Sequence, residues 1–188
     1  MSDIEYKGYI FKVTHVQDDT SMAPWEASDG HGPVREVYAP NGLRDANIKR
    51  PGERVLFRSR GHYLLYDWKA AAEQARKDGW STEPHEDPHP LQRALQADFD
   101  YLKGWCDEVW TYIGVTVTLE DDPTFTDSLW GVESGGTYKD EVARELADEV
   151  LSLYLAKLAL EKNEAAEVEY WASRDVVTGV PCIQAEYA

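Results

Sequence analysis

The run "DFDYLKGWCDEVWTYIGVTV", residues 98 to 117, changes period in its middle, and that change decides the fold. Leading into it, Leu91, Leu95, Phe99, Leu102, Cys106 and Val109 recur at steps of three and four, which is one face of a helix. From Trp110 the period becomes two. Ile113, Val115, Val117 and Leu119 fall on one side, and Tyr112, Gly114, Thr116 and Thr118 on the other, as in a half-buried strand. Cys106 shares its stripe with Phe99 and Leu102, so the helix turns it inward. A nucleophilic cysteine needs a lowered pKa from a helix N-terminus or a cation. Cys106 sits near a helix C-terminus beside Asp107 and Glu108, where the field acts the other way. With Asp100, Lys103 and Asp107 on the wet face, the run reads as a junction between elements.

Working outward, "IEYKGYIFKVTHV" reads as an opening strand stopped by "QDDTS", with Tyr9, Phe11 and Val13 on its apolar side. Residues 20–52 hold four prolines and four glycines and read as a long irregular excursion, with "REVYAP" a short strand inside it. "ERVLFRS" and "GHYLLYD" form strands joined by a turn near Gly61. Asp67 is placed to cap "WKAAAEQARKDGW", and Gly79 to end it. "STEPHEDPHP" must be a loop. "DSLWGVESGG" is the hairpin partner of the 110–122 segment. The strongest helix signal begins at Tyr138, with Thr137 as N-cap and Asp140 and Glu141 at the positive end of the dipole.

These elements predict an α+β fold: a mainly antiparallel sheet of four or five strands, packed by helices near 67–79, 91–109 and 138–165. A single domain is expected over 1–171, with 172–188 as a tail. No apolar run approaches the roughly 20 residues needed to span a bilayer. Two cysteines are too few for a disulfide framework, and "MSDIEYKGY" lacks the features of a signal peptide, so a reducing cytoplasm is the expected location.

The chain carries a net charge of −16, distributed unevenly. Residues 1–90 have 12 Lys/Arg against 15 Asp/Glu, whereas residues 91–188 have 7 against 20. Such a field repels nucleic acid and favours basic protein surfaces. On the last helix Glu141, Glu145, Asp148 and Glu149 follow at steps of one to four residues. Neighbours three or four apart stand roughly 5–6 Å from each other. That is near the roughly 7 Å between phosphates of one DNA strand, from its 3.4 Å rise at helix radius. Glu120, Asp121, Asp122 and Asp127 extend the row. Past Val150 the helix is apolar nearly all round, which means deep burial or a subunit contact such as a homodimer.

Other chemistry is thinner. His85 and His89 are four apart, but three prolines forbid the helix that would join them on zinc. The basic run 44–60 offers Arg44, Lys49, Arg50, Arg54, Arg58 and Arg60 beside Phe57, Tyr63 and Tyr66, as a nucleic-acid surface would. His62, Asp67 and Glu133 stand near strand ends as polar groups for a small-molecule site. There is no phosphate-binding glycine loop and no catalytic set, so neither metal nor cofactor is expected.

Three stretches, "YLLYDWKAAAEQARKDGW", "ADFDYLKGWCDEVWTYIGVTVTL" and "SLWGVES…YKDEVARELADEV", together resemble a family of uncharacterised small tailed-bacteriophage proteins. That family carries RDGW, then DFxYLxGW, then SLWGxES, and the likeness covers about residues 63–150. It lends no catalytic residue. It implies a phage origin, work in the host cytoplasm, and a non-enzymatic inhibitor of a host DNA-handling, restriction or CRISPR protein. The partner would present a basic groove to the acidic half.

Overall fold

The computed structural model describes residues 2–27, 30–39, 48–80 and 89–178, with the backbone alone for 174–178. The fold is α+β. A four-stranded sheet runs in the order β1 (Ser2–Tyr6), β2 (Tyr9–Gln17), β6 (Tyr112–Leu119), β7 (Thr126–Glu133). A three-stranded sheet has the order β3 (Val34–Tyr38), β5 (His62–Asp67), β4 (Glu53–Ser59). The helices are α1 (Trp68–Asp78), α2 (Pro90–Cys106) and α3 (Tyr138–Thr178). Contacts group the chain into two compact units: residues 1–15, 115–129 and 140–188, and residues 16–114 and 130–139.

The first strand expected from the sequence is in fact a hairpin. Tyr6 pairs with Tyr9, and the chain reverses at Lys7 (φ 50°) and Gly8 (φ 84°). Two positive φ values in a two-residue loop match the right-handed twist of the strands. Arg60 (φ 44°) and Gly61 (φ 88°) turn the β4–β5 hairpin in the same way. In both places a basic residue takes the position that Asn or Asp usually fills, which hides the turn from a reading of alternation.

In the first unit, Phe11 and Val13 of β2 and Val115, Val117 and Leu119 of β6 are buried. So are Val142, Leu146, Ala147, Val150 and Leu151 of α3. Tyr154 meets Tyr9 and Phe125 edge-on, which places α3 against the first hairpin and the β6–β7 turn. The helix runs to Thr178, well past residue 165, because "EKNEAAEVEYWASRD" contains no helix breaker.

In the second unit α1 and α2 cover one face of the small sheet, around Leu56, Leu64, Tyr66, Ala71, Leu95 and Leu102. Asp67 caps α1 by accepting from the Lys69 and Ala70 amides, and Gly79 closes it at φ 72°. The other face holds Tyr63 and Leu65 under Ile48. Beside them Arg35 donates twice to the buried Glu53 carboxylate, at 2.7 and 2.6 Å, and once to the Ile48 carbonyl. Arg35 holds the Glu53 carboxyl below its ordinary pKa. Helix α2 ends at Cys106, three residues before the expected Val109. Glu108 adopts φ 56°, and Val109 is 77% exposed.

Two acids should report on this framework. Glu53→Ala strands Arg35 in a partly buried place and should cost about 3 kcal/mol in urea unfolding; a loss below about 0.5 would contradict the pairing. Asp18 accepts from the Thr20 and Ser21 hydroxyls and from the Gly131 amide, and the Thr20 and Ser21 hydroxyls pull its carboxyl down to about 2. A depressed folded-state pKa stabilises above the unfolded value and loses that stability as pH falls. The gap in unfolding midpoint between the native chain and Asp18→Asn should hold steady above about pH 5 and close between about pH 4 and 2. A gap that ignores pH would contradict it.

Candidate functional site

Helix α3 sorts its first three turns by exposure. Val142, Ala143, Leu146, Ala147 and Val150 are buried, and this turns Glu141, Glu145 and Glu149 outward along one line, a helical turn apart. Among the described residues, no cation pairs with Glu145 or Glu149. Asp148 lies at the margin of the line and behaves differently. It accepts from Lys7 Nζ and from the Tyr6 hydroxyl, and the Lys7 contact lowers its carboxyl pKa.

The acids of the β6–β7 turn are also partly engaged. Glu120 pairs with Lys12 at 3.1 Å. Asp122 accepts from the Thr124 hydroxyl at 2.6 Å and from Lys157 at 3.1 Å, and Thr124 followed by Lys157 lowers its pKa. Asp127 accepts from the Ser128 amide, and Asp121 is exposed. All eight acids singled out from the sequence fall in the first unit. Lysines neutralise three of them; among the described residues Glu145 and Glu149 take no cation.

The basic run is divided. A β-bulge between Val55 and Phe57 shifts the register of β4, so Arg54 pairs with Tyr66 and Arg58 with Tyr63. Tyr66 belongs to the core under the helices and Tyr63 to the opposite face, so Arg54 and Arg58 lie on opposite sides of the sheet. Arg54 lies flat on Trp68, 3.5 Å from the ring centre, and donates to Gln96. Arg60 belongs to the hairpin turn, and Lys49 and Arg50 are exposed. Arg44 lies outside the described residues.

The three residues considered for a small-molecule site have separate partners. His62 is bonded to Glu36 at 2.6 Å and stacked on Tyr38. Asp67 caps α1, and Glu133 accepts from the Tyr101 hydroxyl. Burial, followed by the Asp107 charge, pushes the Cys106 thiol up to about 11, against a role as nucleophile. Among the described residues no three His, Cys, Asp or Glu side chains gather as a metal site. His85 lies outside those residues, and His89 immediately precedes α2.

One well-connected acid was left by sequence reasoning as an ordinary helix residue. Asp98 accepts from His31 Nδ1 at 2.6 Å, the Tyr66 hydroxyl at 2.7 Å and the Gly32 amide at 2.9 Å, and its side chain is 8% exposed. Gly32 is required there, since a Cβ would lie 2.6 Å from the Tyr66 ring. His31 stacks on Tyr101, which reaches Glu133. The "DFDYL" and "GVES" segments thus supply internal wiring in the second unit.

No protein-family model, curated protein or solved structure matches this chain.

The two kinds of acid should separate by stability. Asp98→Ala leaves the buried Tyr66 and Gly32 donors and the half-buried His31 unanswered and should cost about 2–3 kcal/mol in denaturant unfolding. Glu145→Ala should stay within about 0.5 kcal/mol. Equal effects would contradict the division.

Proposed function

We propose that this chain is a binding protein that offers the outer line of α3 to a basic groove on a host DNA-handling or defence protein, occupying it as nucleic acid would. The observation that carries the reading is the row Glu141, Glu145 and Glu149, exposed above a buried stripe, with no cation on Glu145 or Glu149 among the described residues. Like charges one turn apart cost a helix roughly 0.2–0.5 kcal/mol per pair. Among the described residues no cation on Glu145 or Glu149 offsets this cost, whereas an arginine-lined groove would offset it. Desolvated carboxylates meeting guanidinium groups make short, bidentate hydrogen bonds. The surplus of acids over residues 91–188 adds long-range attraction and raises the rate of encounter. The phage-like pattern supports a host bacterium as the place to look for the partner, and its cytoplasm as the compartment. No helix among the described residues is long and apolar enough to cross a membrane.

The test is retention of a host DNA-binding protein on the immobilised chain, followed by competition with duplex DNA. The expected result is retention that DNA reverses and that the Glu141→Lys/Glu145→Lys/Glu149→Lys variant loses, with its fold intact by circular dichroism. Retention by the folded variant, or indifference to DNA, would overturn the reading.

A further inference from the structure

The β4–β5 hairpin ends in a turn that its sequence disfavours. Arg60 stands at φ 44° and Gly61 at φ 88°, and the first of these positions favours Asn, Asp or Gly. The β1–β2 hairpin makes the same choice with Lys7 at φ 50°, and there the cation has a partner, Asp148. Arg60 has no such partner. It is exposed, and among the described residues its guanidinium makes no hydrogen bond, ion pair or ring contact. An uncommon backbone conformation kept without an internal partner is a reason to look outward.

The turn delivers Arg60 beside a flat aromatic surface. Ala39 donates its amide to the Gly61 carbonyl at 2.6 Å, and a Cβ on Gly61 would lie 2.5 Å from the Ala39 carbonyl oxygen, so β3 runs hard against the turn. Tyr38, His62 and Ser59 form one row across β3, β5 and β4. The Tyr38 ring lies within 7° of parallel to the His62 imidazole, 4.7 Å between centres, and Phe57 meets His62 edge-on. The Tyr38 hydroxyl donates to Glu36 at 2.8 Å, and His62 bonds the same carboxylate oxygen at 2.6 Å. Tyr38 is thus held at both ring and hydroxyl while 74% exposed, with its outer face in water. Residues 54–61 carry Arg54, Arg58 and Arg60 and no acid.

We propose that this end of the three-stranded sheet binds single-stranded nucleic acid, one base stacking on the outer face of Tyr38 and the adjoining phosphate resting on Arg60. Stacking needs an unpaired base, and a guanidinium takes two phosphate oxygens at once. Such a ligand uses both features together, whereas an apolar one leaves Arg60 unmet and a simple anion leaves Tyr38 bare. The net charge of the chain opposes any polyanion at a distance, so the attraction acts at short range, within a Debye length of about 8 Å at physiological salt. The surface belongs to the second unit and shares no residue with the carboxylate row of α3, so binding at the two places stands or falls separately.

Fluorescence anisotropy of end-labelled oligothymidylate and oligouridylate, titrated with the full chain at low and at physiological salt, tests the proposal. The expected result is saturable binding with a Kd on the order of 10 µM at low salt, weakening as salt rises. Tyr38→Ala should weaken it about tenfold and Tyr38→Phe hardly at all, since the ring provides the stacking. Arg60→Asn suits the turn and should keep the hairpin, while making the salt slope shallower by about 0.7, the loss of one phosphate contact. No saturable binding at low salt, equal affinity for a duplex of the same length, or binding indifferent to either Tyr38→Ala or Arg60→Asn would overturn the proposal.

Discussion

An excess of sixteen negative charges over 188 residues is the constraint around which this molecule is organised. Each carboxylate must be answered by donors inside the fold, paired with a cation at its margin, or left to water. The structure uses all three solutions. Asp98, Glu53, Asp18 and Asp67 each gather several donors and fix loops and caps. Asp148, Glu120 and Asp122 take lysines. Glu145 and Glu149, on the outward side of α3, take no cation among the described residues. Solvation permits that exposure, while repulsion between like charges a turn apart opposes it.

The elements that came through clearly in the sequence are those where one physical signal acts alone. Strict alternation placed Ile113, Val115, Val117 and Leu119 inside, and all four are buried. Asp67 and Gly79 bound α1 as their chemistry demands. Misreadings arose where two signals competed. Lys7–Gly8 lies within an alternating pattern that continues through the turn, so two strands look like one. Val109 keeps the helical spacing, but Glu108 in the left-handed region has already ended α2. The bulge in β4 separates Arg54 from Arg58 although they are four residues apart, and nothing local marks it.

The candidate site was visible in proportion to how local it is. A row of glutamates on one helix is a pattern of spacing, and exposure confirmed which members face outward. Its pruning was not visible, because Lys7, 141 residues from Asp148, has to be folded beside it. The Asp98 cluster was hidden for the same reason. His31 lies 67 residues away, and the acid that binds it looks like any other on a wet helix face. Long-range pairing distinguishes an acid that builds the fold from one that is left to water.

The proposed function requires Glu145 and Glu149, with Glu141 beside them, to form one docking line on α3. Amide chemical-shift mapping of the labelled chain with an arginine-rich peptide tests it most directly. Saturable shifts centred on Glu141, Glu145 and Glu149, with Asp98, Asp148 and Asp122 undisturbed, are the expected result. Shifts spread evenly over acids of both units, or centred away from α3, would contradict it.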